Sequence, residues 1–204
     1  MPDTEGRPLV YLAGPDVFYA DVHSRAAKMR ETLAEIGMTG LFPLDGDLTP
    51  ERFPDKQTLA IAIARANEAL MRRADMVIAN IQPWRGPEAD DGTAYEIGFM
   101  AALGKPIVLY TSDRRPFFRR IVDDCYGGDV YNDGALIRGR RDDFMVEDFG
   151  LADNLMLINA AVAAAERAGW PYVDAGAIVK TSFKAAADFA RQLWDKGRLQ
   201  SQSR

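Results

Sequence analysis

The sequence predicts an α/β fold in which a parallel sheet is wrapped by helices on both faces. Three short apolar runs, Leu9–Ala13 (LVYLA), Ala74–Ile81 (ADMVIANI) and Pro106–Tyr110 (PIVLY), read as buried strands. Stretches with apolar residues at helical spacing separate them. Strands that alternate with helices imply parallel pairing, with right-handed crossovers.

Leu9–Ala13 is closed by Gly14-Pro15 and is the natural first strand. From Asp21 to Ile36, Val22, Ala26, Met29, Leu33 and Ile36 recur with helical period, and Gly37 is a C-cap signal. Gly40–Leu44 is at best a short strand, broken by Pro43, and Asp45–Arg52 is a turn-rich loop. Asp55 suits the N-cap of a second helix running to Arg73, with Leu59, Ile63, Ala66 and Leu70 inward. After the Ala74–Ile81 strand, Gln82–Asp91 is a loop by its prolines and glycines. It leads into Asp90–Lys105 (DDGTAYEIGFMAALGK), the stretch around which the chain is organised.

A helix starting near Gly92 would pack on the sheet through Tyr95, Phe99, Ala102 and Leu103. Glu96 would then lie beside that face, near the carboxyl edge of the sheet where open α/β folds bind ligands. Thr111–Gly150 is too long for an ordinary connection and reads as an excursion with some local structure. An alanine-rich helix over Asn154–Ala168, a strand candidate at Pro171–Val173 and a last helix over Thr181–Lys196 complete the pattern. A single domain over 1–204 is expected, with residues 1–7 and 197–204 as flexible tails.

The bulk numbers narrow the function. A net charge of −5 disfavours a general nucleic-acid or anionic-membrane binder, because phosphate contact needs a basic face. One cysteine, Cys125, excludes an internal disulfide or a cysteine-cluster metal site. The polar start MPDTEGRP has no signal-peptide pattern, and no apolar run approaches a membrane span, so a cytoplasmic location is expected. Neither a Walker loop nor a GxGxxG fingerprint is present, which disfavours nucleoside triphosphates and dinucleotide cofactors.

Acids dominate the candidate chemistry. Asp16, Asp45, Asp47, Asp90 and Asp91 fall at strand ends or in the loops beyond, and Glu96 joins them. With His23 the only histidine, such a set suits carboxylate chemistry on a sugar, with magnesium binding as the rival use. Taken singly, each acid also reads as a solvated charge or a helix cap. Asp75 reads equally as a cap or a salt-bridge partner of Arg72 or Arg73. Tyr11 reads as a core tyrosine with a satisfied hydroxyl. His23 and Cys125 have no partner that suggests catalysis. The cluster Arg114, Arg115, Arg119 and Arg120 reads as a solvated or subunit-facing loop rather than a phosphate site.

Several segments in order resemble the nucleoside 2-deoxyribosyltransferase family. They are Tyr11-Leu-Ala-Gly-Pro-Asp-Val-Phe18, Asp75-Met-Val-Ile-Ala-Asn80, Pro83-Trp-Arg-Gly86 leading into Asp90-Asp-Gly-Thr-Ala-Tyr-Glu-Ile-Gly98, Thr111-Ser-Asp-Arg-Arg115, and Phe149-Gly150 with Asn154-Leu-Met-Leu157. The resemblance spans roughly residues 8 to 195. It implies a flavodoxin-like doubly wound sheet of about five strands. It also implies transfer of 2-deoxyribose between nucleobases, with retention, through a covalent deoxyribosyl-glutamate, and no metal or other cofactor.

By this resemblance Glu96 is the nucleophile, Tyr11 orients it, and Asp75 is associated with proton delivery to the departing base. Asp90, with Gly92 and Thr93, is expected to bind the sugar. Phe18 is expected to stack on the base, and Asp47 to read the base edge. Asn154 would reach the 5′-hydroxyl from a neighbouring subunit, making the protein a homo-oligomer, a dimer or a hexamer built from dimers. The partners would be a 2′-deoxyribonucleoside and a free base. The alternatives are an N-glycosidase acting on deoxynucleosides or their 5′-monophosphates, and a non-catalytic nucleotide-binding module.

Overall fold

The computed structural model describes residues 6–45, 48–170 and 173–202. Strand β1 (Leu9–Ala13) runs through a 3-10 turn at Pro15–Phe18 into helix α1 (Val22–Glu35), and Gly37 takes the left-handed conformation (φ 71°) expected after a helix end. Strand β2 (Thr39–Leu41) is short, as the proline at 43 requires. Helix α2 (Lys56–Arg73) is capped by Asp55, whose carboxylate accepts the Thr58 N–H at 2.7 Å. Its inward residues are Leu70 and Met71, whereas Ile63, expected to face the core, is exposed.

Strand β3 (Met76–Asn80), helix α3 (Asp91–Ala102) and strand β4 (Ile107–Tyr110) follow. The Lys105 ammonium between α3 and β4 donates to the carbonyls of Met71, Arg72 and Ala74 at 2.9, 2.6 and 2.5 Å, closing the C-terminal end of α2.

The excursion after β4 holds helix α4 (Phe117–Arg120), a wider π turn at Ile121–Cys125, and a separate antiparallel sheet of β5 (Val130–Asp133), β6 (Leu136–Gly139) and β7 (Met145–Val146). Then come α5 (Leu155–Arg167), the short α6 (Ala175–Ile178), β8 (Val179–Lys180) and α7 (Phe183–Gln202).

The main sheet has the order β2-β1-β3-β4-β8 and every pairing in it is parallel, a flavodoxin-like arrangement. Its fifth strand corrects the expectation of a strand over Pro171–Val173. Residues 171 and 172 lie outside the described residues, Val173 is not in a strand, and Val179–Lys180 pairs with Leu109–Tyr110 instead. Residues 197–202, expected to form a polar tail, continue α7.

Helices α1 and α7 cover one face of the sheet, and α2, α3 and α5 cover the other. The central strands are buried on both faces, which is why they read as continuous apolar runs. The chain reverses direction across the sheet between β1 and β3, and a crevice opens beyond the carboxyl ends of these two strands. Gly14 lies at its floor with φ 153°. A Cβ there would stand 2.6 Å from the Cβ of Asn80, so only glycine allows this approach of the two strand ends.

Candidate active site

Helix α3 begins at the crevice because Asp90 caps it: one carboxylate oxygen, Oδ2, accepts both the N–H of Thr93 at 2.9 Å and its hydroxyl at 3.1 Å. Thr93 is buried by this, while Gly92 is exposed, and a Cβ at Gly92 would come within 3.0 Å of Asp90 Oδ2. The buried face of α3 is Thr93, Ile97 and Met100. This corrects the expected face. Tyr95 points outward, its hydroxyl donating to Glu68 at 2.6 Å, and Leu103 is also exposed. Burying Ile97 and Met100 contributes about 1.5–3 kcal/mol each.

Glu96 stands between Thr93 and Met100 at helical spacing, so it lies within the inward face rather than beside it. There it meets Tyr11. The tyrosine is fully buried in β1 and donates its hydroxyl to Glu96 Oε1 at 2.5 Å. Burial raises the Glu96 carboxyl to about 7, the Tyr11 hydrogen bond works against that rise, and the neighbouring Asp90 charge adds to it. Burial, with the Glu96 charge and hydrogen bond behind it, pushes the Tyr11 phenol well above the ordinary tyrosine range, so Tyr11 remains a donor. The site therefore offers a carboxylate oriented through one oxygen, poised near neutrality, with Oε2 left over.

The mouth of the crevice is aromatic. Phe18, 54% exposed, stacks on Trp84 with centroids 5.4 Å apart and planes 17° from parallel. Tyr19 tilts against the same indole, and the Arg85 guanidinium lies over both Phe18 and Trp84. Arg85 holds a left-handed φ of 57°, an uncommon conformation for a residue with a side chain. Trp84 escaped sequence reasoning as a site residue, since a tryptophan between prolines and glycines carries no periodic signal. On α2 the Asn67 side-chain oxygen is buried without a hydrogen-bond partner among the described residues, one residue before the Glu68 that holds Tyr95.

Other candidates are placed differently. Asp75 precedes β3 at the amino edge of the sheet, where its carboxylate accepts the Leu9 N–H at 2.8 Å. Asn80 at the carboxyl edge is five positions further along the strand, roughly 16 Å away, so the structure does not bring Asp75 to the crevice. Asp16 is 4% exposed and is neither a surface charge nor a helix cap. It accepts from Asn80 Nδ2 at 2.8 Å and from Arg25 at 3.2 Å, and burial first, then the Asp16 charge, push the nearby Tyr110 phenol up.

Asp45 accepts the Phe42 N–H and pairs with Arg30, while Asp47 lies outside the described residues. Asn154 caps α5, accepting from the Met156 N–H at 2.9 Å, with its amide 3.4 Å from Glu147. Met156, two residues on, and Phe144, Met145 and Phe149 in the preceding segment are all more than half exposed.

The arginine cluster is not one solvated loop. Arg115 pairs with Asp113 and Asp124, Arg119 pairs with Asp123, and Arg120 is completely buried. Among the described residues no group of three His, Cys, Asp or Glu side chains could hold a metal ion, and no helix is long and apolar enough to cross a membrane.

Comparisons with known proteins bear on the family and the fold. The family model for nucleoside 2-deoxyribosyltransferase matches residues 10–156. The fold is similar to a 2-desoxiribosyltransferase from Leishmania mexicana, with TM-score 0.63 and 28% identity over 91% of this chain and 97% of that one. A conserved protein from Enterococcus faecalis V583 shares the fold at TM-score 0.51 and 18% identity, over 91% of this chain and 98% of that one. An uncharacterized protein of Schizosaccharomyces pombe is 35% identical over 115 residues, 56% of this chain and 54% of that protein, so the chain spans about half the length of this curated relative.

Proposed function

The chain belongs to the nucleoside 2-deoxyribosyltransferase family, and from that premise we propose that it exchanges the base of 2′-deoxyribonucleosides through a covalent deoxyribosyl ester on Glu96. The observation that carries this reading is the buried 2.5 Å contact between Tyr11 and Glu96. A carboxylate fixed through one oxygen presents the other for attack. Glu96 Oε2 bonds to C1′ as the bond from C1′ to the base nitrogen breaks, and the departing base takes up a proton. An acceptor base then attacks C1′, the ester bond breaks, and the acceptor loses its N–H proton. Two inversions give overall retention.

Asp90 binds the sugar hydroxyls through Oδ1, since Oδ2 is taken by Thr93; Gly92 leaves room for the sugar and Thr93 fixes Asp90. Phe18 and Trp84 supply the surface on which the base stacks. Asp75 is not given the proton-delivery role, because its place at the amino edge keeps it from the departing base.

Assembly into at least a dimer belongs to this reading. Phe144, Met145, Phe149 and Met156, in the segments that lead into and out of Asn154, are exposed, and a second copy seated there would cover them and carry Asn154 toward a neighbouring site. Water in place of the acceptor base would make the same ester a hydrolytic intermediate.

The test is incubation with deoxyinosine, with and without adenine, followed by chromatography. Deoxyadenosine and hypoxanthine are expected when adenine is present. Free deoxyribose in equal amount with or without adenine would make the protein a hydrolase, and unchanged deoxyinosine would leave it a binder.

A further inference from the structure

Arg120 and Asp153 form an ion pair 2.8 Å long with side chains 0% and 1% exposed. Taking two charges out of water costs several kcal/mol, and an apolar pair of similar volume often serves stability as well or better. The remaining contacts of this pair suggest what it does instead. Arg120 Nε donates to the Pro87 carbonyl at 2.7 Å, and Nη1 donates to the carbonyls of Ala152 at 2.7 Å and Arg115 at 3.1 Å. The Asp153 carboxylate accepts the N–H of Asn154 at 2.8 Å and lies near the N–H of Ala89.

These partners belong to three segments: the loop running into α3, the loop after β4, and the start of α5. Ala89 immediately precedes Asp90, the cap of the helix that carries Glu96, and Asn154 is the cap of α5. At the other end of these helices Arg167 of α5 donates to the Ala101 carbonyl of α3, so the two lie parallel and both start at the crevice. The ion pair ties those two starts together through main-chain atoms.

We infer that Arg120 and Asp153 are positioning residues that clamp the Pro87–Ala89 loop to the start of α5 and thereby fix where Asp90 and Glu96 meet the sugar. The inference rests on Glu96 being the nucleophile. Neither side chain touches the reacting atoms; both act through the placement of Asp90. A displacement of about 1 Å at a reacting group can cost on the order of 100-fold in rate.

The test replaces the charges by apolar groups of similar reach, Arg120→Met with Asp153→Leu, which removes both buried charges together and leaves the carbonyls of Pro87, Arg115 and Ala152 without this donor. Base exchange should lose roughly 30- to 100-fold in kcat, with KM changed far less and the protein still folded, its urea midpoint lowered by the unpaired carbonyls. Hydrogen exchange at the Ala89 amide should accelerate at least about tenfold, since the loop that carries it is no longer tied down. A folded double variant that keeps the parent kcat, or loses kcat with Ala89 still protected, would overturn the clamp. If the double variant does not fold, Asp153→Asn keeps the shape and removes the charge, and the same two readouts decide. Should the parent protein exchange no bases, the functional reading fails, while Ala89 protection still decides whether the clamp exists.

Discussion

Asp16 and Glu96 are both acids held in the body of the protein near the carboxyl edge of the main sheet, Asp16 on the side of α1 and Glu96 on the side of α2 and α3. Asp16 collects two side-chain donors, from Arg25 and Asn80, and so joins β3 and α1 at the end of β1. Among the described residues Glu96 has Tyr11 alone as a side-chain hydrogen-bond partner, and its carboxyl rises to about 7. Burial is common to both, and the number of donors separates them. A fully bonded buried carboxylate holds strands together, whereas a sparsely bonded one keeps a lone pair and an adjustable proton for chemistry.

Four changes sharpen or break this contrast. Glu96→Gln should lower base exchange by at least about 10³-fold, because the amide cannot form the ester, while leaving the protein folded, since the volume of the inward face of α3 is kept. Exchange at the parent rate would place the nucleophile elsewhere. Asp16→Ala should show the reverse pattern. It strips the acceptor from Asn80 and Arg25 at a cost of about 2–5 kcal/mol in urea unfolding, yet exchange per folded molecule should stay within about threefold, since Asp16 makes no contact with Glu96.

Tyr11→Phe should reduce kcat by roughly 10- to 100-fold and shift the acid limb of the rate profile above its parental position near pH 7. The reason is that the lost hydrogen bond is what lowers the Glu96 carboxyl. An unmoved limb would mean that the limb belongs to another group.

The last change is in stability against pH. The folded Glu96 binds its proton more tightly than the unfolded chain, whose carboxyl titrates at 4.5. Its contribution is therefore complete below pH 4.5 and fades as pH rises through about 7, amounting to about 3 kcal/mol. Denaturation curves at several pH values should show this slope in the parent and not in Glu96→Gln.

Elements made by local rules were readable in the sequence: the three central strands, α1, α2 with its Asp55 cap, and the helix after Asp90. The inward face of α3 was not, because the helix is apolar on several sides. Sheet, α2 and α5 all pack on it, so its pattern has no single direction. Polar residues misread as surface groups failed for a related reason. Asp16 finds Asn80 sixty-four residues away, and Arg120 finds Asp153 thirty-three residues away. Burial of that kind is decided by partners that no local window contains. The edge strand β8 is two residues long, too short to carry a period, and Asp75 enters the site only through the family resemblance, which carries no information on which end of β3 it stands at.

The contact at Gly14 sets a dimension that no side chain can tune. Where β1 and β3 part, main chain presses on the Cα and Cβ of Asn80 with no atom to spare, so the gap that admits a ligand is gauged by backbone, like a jig cut in metal. Substitutions around its rim can recolour what the gap prefers. A single methyl group at residue 14 would instead wedge the two strand tips apart and alter the gauge for every ligand at once.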